Sequence, residues 1–88
     1  MTKGEPAATI EARGLKCPLP ALKTRRALAR LKIGATLVVR ADDPMAAIGI
    51  PHTVRELGDE LIKATQAGEV MRFVVRRRGR TEAGDKAS

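Results

Sequence analysis

Cys17-Pro18-Leu19-Pro20 holds the only cysteine of the 88 residues, at a point where a short strand pattern gives way to a helical one. A helix that begins here sets unpaired backbone N–H groups beside the sulfur, and the partial positive charge of that end favours thiolate over thiol. Pro18 suits a first helical position, because its ring presets φ and its missing N–H would have no partner there. With Cys17 as the N-cap, Leu19 N–H is the expected donor to the sulfur, and Pro20 has no N–H to offer. The spacing predicts a reactive thiol on a rigid support.

A dithiol redox motif would read Cys-x-x-Cys, and here Pro20 occupies the second cysteine's place. A neighbouring thiol would attack a persulfide on Cys17 and expel sulfide. Without one the extra sulfur stays until a partner's nucleophile arrives, which suits a carrier better than a thioredoxin-like reductant. The plainer reading is a small buried hydrophobe, the usual fate of a lone cysteine. The two flanking prolines and the surrounding cations favour the reactive one.

Those cations are unevenly spread. The net charge is +7, yet Ala12 to Ala41 contains no acid and eight bases: Arg13, Lys16, Lys23, Arg25, Arg26, Arg30, Lys32 and Arg40. A second cluster, Arg76, Arg77, Arg78 and Arg80, opens the C-terminal tail. Arg13 and Lys16 lie nearest the cysteine and are expected to support its ionisation, Lys16 the more strongly. Arg25, Arg26, Arg76, Arg77 and Arg78 are expected to draw an acidic partner. The competing account is a solvated helix face and a basic tail.

Size and composition exclude other classes. One cysteine rules out a disulfide scaffold and suits a reducing compartment. No apolar run approaches the roughly 20 residues of a membrane span, and Met1 to Pro6 lacks the layout of a secretory signal. A cytoplasmic setting and a monomer are expected, with no membrane contact. No metal, flavin or nucleotide signature accompanies the cysteine, so no cofactor is expected. With one Phe and neither Trp nor Tyr, the chain offers no platform for stacking bases.

The elements that must hold the motif follow from periodicity. Residues 8–12 alternate as a strand ended by Arg13-Gly14. From Pro18 to Ile33 the pattern is helical, with Pro20, Ala21, Thr24, Ala27, Leu28 and Leu31 on one stripe and Gly34 as the residue past its end. Leu22 points toward the basic face. Thr36 to Ala41 is a β-branched strand, after which Asp42-Asp43-Pro44 supplies a cap and a helix-starting proline. Ile50, Val54, Leu57 and Leu61 form a second stripe, which Gly49 and Pro51 are expected to divide into a turn and a helix. Single histidine His52 falls on its polar face and reads as solvent-exposed. Leu61 to Thr65 and Val70 to Arg77 read as two strands joined at Gln66-Ala67-Gly68-Glu69, with Met71, Phe73 and Val75 inward. The order is βαβαββ: an α/β (α+β) two-layer sandwich with two helices on one face of a four-stranded mixed sheet. One folded unit spans 7–78, flanked by ends over 1–6 and 79–88 expected to be disordered.

Arg13-Gly14-Leu15-Lys16-Cys17-Pro18-Leu19-Pro20, with Ala41-Asp42-Asp43-Pro44 and Ile50-Pro51 after it, resembles the TusA (SirA-like) family of small sulfur carriers. The likeness covers about residues 8 to 78. It implies a cytoplasmic protein whose Cys17 takes a persulfide sulfur from a cysteine desulfurase or rhodanese-like donor and passes it to an acceptor sulfurtransferase. Family roles include tRNA wobble-uridine thiolation, molybdenum-cofactor maturation and sulfur oxidation. Ile48-Gly49 stands where relatives of the tRNA-thiolation type carry Arg-Asp, a departure that bears on the pathway and not on Cys17.

Two other readings compete. The element order also resembles the C-terminal domain of translation initiation factor three, and a basic tail could contact phosphates. That reading leaves the Cys-Pro-x-Pro motif without a role, and direct nucleic-acid binding is not expected. A regulatory interaction module would instead use Cys17 to sense oxidants.

Overall fold

β-Branched Thr36–Ala41 forms strand β2, flanked in the sheet by Ala8–Glu11 (β1) on one side and Val70–Arg76 (β4) on the other. This computed structural model describes residues 6–78. Apart from Pro6, the expected disordered ends lie outside the described residues. Helix α1 runs over Leu19–Arg30, α2 over Ala46–Leu57, and strand β3 over Glu60–Ala67. The strand order is β1-β2-β4-β3, with β1 parallel to β2 and both other pairs antiparallel. Two helices pack on a four-stranded mixed sheet in βαβαββ order, the two-layer sandwich that periodicity predicts.

Alternation decides which side chains the helices cover. Leu37, Val39 and Ala41 of β2 and Met71, Phe73 and Val75 of β4 meet Leu28 of α1 and Ala46, Ile50 and Val54 of α2 in one core. The stripe read for α1 holds: Pro20, Thr24 and Leu28 are buried, and Ala21, Ala27 and Leu31 half-buried. Buried Thr24 is satisfied by donating to Pro20 O at 2.9 Å. On the opposite face Val38 is also buried, between Thr9 and Val74 of the neighbouring strands. Ala64 and Gln66 of β3 are exposed although their partners Phe73 and Met71 are buried.

Three boundaries differ from the sequence reading. α1 stops at Arg30 and turns extended at Leu31, so Gly34 lies in the connecting turn rather than just past the helix. Arg77 explains the early stop. Its Nη1 donates to Leu28 O, Ala29 O and Leu31 O at 2.9, 3.2 and 2.7 Å, satisfying the carbonyls a longer helix would have used. Pro51 does not divide the second helix: α2 is continuous from Ala46 to Leu57. Its first N–H groups bond three residues back, Ala46 to Asp43, Ala47 to Pro44 and Ile48 to Met45. Burial of Ile50 and Val54 on either side of the proline holds the rod together. The helix ends at Gly58 with φ of 79°, a conformation cheap only for glycine, and β3 follows at once. The hairpin turn is shorter than expected, just Gly68-Glu69 between paired Ala67 and Val70.

Candidate functional site

Because β1 and β2 are parallel neighbours, their carboxyl ends lie side by side, and so do the loops that follow them. The first loop carries Cys17 and the second carries Asp42 and Asp43. This edge of an open α/β sheet is where such folds assemble their sites. Ala12 N–H still reaches Arg40 O at 2.7 Å, and Gly14, with φ of 85°, then turns the chain away from the sheet. Half-buried Leu15 packs against the core and anchors the loop from below.

Two carboxylates hold the loop from the side. Gly14 N–H donates to Asp42 Oδ1 at 2.9 Å, and Cys17 N–H donates to Asp43 Oδ2 at 2.6 Å. The other oxygen of Asp43 accepts from Met45 N–H at 3.3 Å, so one carboxylate ties the cysteine to the start of α2. The sequence reading missed these clamps. Asp42-Asp43-Pro44 was expected only to start a helix, and the parallel pairing that sets the two loops together is the signal that could have found them.

Cys17 itself is exposed and free. The Cys17–Pro18 peptide bond is cis, and Pro18, not Cys17, is the cap residue, with Leu19 as the first helical position. Leu19 N–H is taken by Lys16 O at 2.8 Å, so it is not the donor to sulfur that the spacing suggested. Pro20, at the second position, has none to give. This helix end therefore offers the sulfur less than a cap at Cys17 would have done.

The cations are also less free than their count implies. Arg13 is held by Glu11, which Arg40 approaches at 3.3 Å as well. The hydrogen bond from Arg13 is the main reason the Glu11 carboxyl lies below its ordinary range. Arg25 pairs with Glu56 at 3.4 Å, and Arg76 and Arg78 share Glu60 at 3.4 and 3.2 Å. Arg77, expected to draw a partner, lies folded onto the end of α1. Lys16, Lys23 and Arg26 remain exposed and make no ion pair with a described residue. His52 is exposed on α2, 3.4 Å from Glu56 and on a different element from Cys17.

A depression of about 250 Å³ beside the loop is lined by Gly14, Leu15, Lys16, Asp42, Asp43, Pro44 and Glu69. Cys17 is not among its lining residues. The sulfur stands on the outer surface, where another macromolecule can reach it.

An exposed lone thiol at a clamped strand-to-helix turn is the arrangement into which the comparisons fit. The sequence profile described as Sulfurtransferase TusA matches residues 8–77. The chain belongs to the TusA family. A Thermotoga maritima protein provisionally named as a sulfur carrier is 40% identical over 68 residues, 77% of this chain and 86% of that protein. An Archaeoglobus fulgidus protein with the same provisional name is 37% identical over 68 residues, 76% of this chain and 88% of the other. The crystal structure of a SirA-like protein from Desulfitobacterium hafniense superposes with a TM-score of 0.72, covering 81% of this chain and 97% of that one at 22% identity. That likeness shows a shared fold. Among the described residues no helix is long and apolar enough to cross a membrane.

Proposed function

We infer that this TusA-family chain is a sulfur carrier. Cys17 receives a sulfane sulfur from a cysteine desulfurase or rhodanese-like protein, holds it as a persulfide, and yields it to an acceptor sulfurtransferase. The observation that carries this reading is the family match over residues 8–77, which includes an exposed Cys17 with no second thiol in the chain. In loading, the Cys17 thiolate attacks the terminal sulfur of the donor's persulfide. The donor S–S bond breaks, the donor leaves as a thiolate, and Cys17–S–SH forms with no net oxidation.

Other groups of the site act by position. Asp43 fixes the backbone of the cysteine, Asp42 fixes the preceding turn, and Pro18 and Pro20 limit what the helix start can do. Lys16 remains a cation next to the sulfur-bearing residue. A cytoplasmic setting and a relay between two proteins complete the proposal. The chain has no stand-alone turnover in this reading, since it returns to its starting state only through a partner.

Intact-mass measurement after incubation with inorganic polysulfide tests this directly. A gain of one sulfur atom that reductant reverses and Cys17→Ser abolishes is the expected result. Unchanged mass in the wild type, or equal gain in Cys17→Ser, would overturn it.

A further inference from the structure

β3 is a sheet edge that no other element among the described residues covers. It stands last in the order β1-β2-β4-β3, and its backbone pairs only with β4. The other edge strand, β1, is kept to 4 residues, a usual defence against unwanted pairing, whereas β3 runs for 8. Every residue from Ile62 to Glu69 is exposed, and Lys63 is the single charge before Glu69 in a chain that is 31% charged. On the helix side, depressions of about 420 and 200 Å³ run between β3 and α2 and share Ala47, Gln66 and Met71. Ala64 and Gln66 therefore border a layer that α2 leaves half built.

The edge is complementary to itself. Opposed residues of an antiparallel pair point to the same side, so a two-fold axis between copies must fall on a residue. At Lys63 it would set like charges together, and at Ala64 it would draw the irregular step between Leu61 and Lys63 into the ladder. At Thr65 it pairs Thr65 with itself, Ala64 with Gln66 and Lys63 with Ala67, all within the regular stretch. Glu69, two residues past the strand, then comes level with Leu61 of the second copy. Leu61 shares a depression with Pro51, Val54, buried Asp59 and exposed Arg55. Neither Glu69 nor Arg55 makes an ion pair with a described residue. The axis that suits the strand thus also brings together two unpaired charges of opposite sign, once at each end.

We propose that the chain pairs β3 to β3 with a second copy of itself about a two-fold axis at Thr65, joining two sheets into one and linking Glu69 to Arg55 across each end. This dimer replaces the monomer expected from sequence. Pairing fills the open edge of both copies and withdraws Ala64 and Gln66 of each from water. Cys17 follows β1 at the opposite edge, three strand spacings or roughly 14 Å away, so both thiols stay open to other proteins. The interface is independent of the carrier reading.

Sedimentation of the full chain, from micromolar to near-millimolar concentration, should show a species of twice the 9.4 kDa chain mass. Thr65→Glu gains Arg72 as an opposite charge across β4 within one copy, but meets its own like across the axis. Its dimer dissociation constant should rise roughly tenfold or more, as should that of Thr65→Lys. Mixing the two variants should restore association as a heterodimer, which damage to the fold could not produce. Arg55→Glu should weaken the dimer, and Arg55→Glu/Glu69→Arg should recover it. Thr9→Glu on the β1 edge is the control and should sediment as the wild type does. Circular dichroism melts establish that each variant is folded. Inorganic polysulfide should load every variant alike, and failure of the wild type there sinks the carrier reading and not the dimer. A wild type that is monomeric at every concentration would overturn the proposal. So would a dimer indifferent to Thr65→Glu, one broken by Thr9→Glu, or mixed Thr65 variants that stay apart.

Discussion

Asp43 is the residue whose removal most sharply separates support from chemistry. Its carboxylate accepts from Cys17 N–H and Met45 N–H, and charged acceptors of this kind contribute roughly 1.5–3 kcal/mol each. Asp43→Ala should lower the unfolding free energy measured in urea by roughly 1.5–3 kcal/mol and slow polysulfide loading of Cys17 several-fold. Asp43→Asn, which keeps an acceptor oxygen, should recover most of the loading rate. Glu11 makes a separate, pH-dependent prediction. Its carboxyl is depressed below the ordinary value mainly by the hydrogen bond from Arg13. The stabilisation it gives is therefore complete above about pH 4.3 and is lost as pH falls through the lower folded value. An NMR titration should place its midpoint below that in Arg13→Ala, where only Arg40 remains to hold it down. At this scale Cys17 is legible from sequence by its uniqueness and its prolines. The true hydrogen-bond partner of its backbone is not, because it lies 26 residues away.

Among the elements, α1 and α2 show what periodicity can and cannot supply. The buried stripe of α1 is readable because Pro20, Thr24 and Leu28 recur every four residues. The stop at Arg30 is hidden, since a side chain 46 residues beyond Leu31 provides the capping bonds. Arg77→Met should cost about 2 kcal/mol in chemical denaturation while leaving polysulfide loading unchanged. The same reasoning spoils Arg77 as a probe of partner steering, because a charge reversal there would damage the helix end first. α2 yields the opposite kind of substitution. Gly49 lies inside the helix, and an added Cβ would meet Ala21 Cβ at 3.9 Å, an ordinary contact. Gly49→Ala should raise stability by about 0.5–1 kcal/mol, read as a higher melting temperature. Continuity through Pro51 could not be read from local propensity, which is overridden by the burial of Ile50 and Val54.

For the molecule as a whole, the architecture was readable because the element order allows few arrangements of two helices on one sheet. What the order leaves open is which strands adjoin, and β4 proves to sit between β2 and β3. Phe73 faces the core from that position at 3% exposure. Phe73→Ala should cost about 3–5 kcal/mol, close to the whole stability expected of a domain this size, and abolish a cooperative thermal transition.

That placement of β4 has a consequence for synthesis. Parallel β1 and β2 can pair early, but β3 has nothing to lie against until residues 70–76 emerge and slot in beside it. A half-made chain on the ribosome would present the thiol to passing sulfur donors without the scaffold that governs its use. The sheet is thus complete only once translation has moved well past the cysteine.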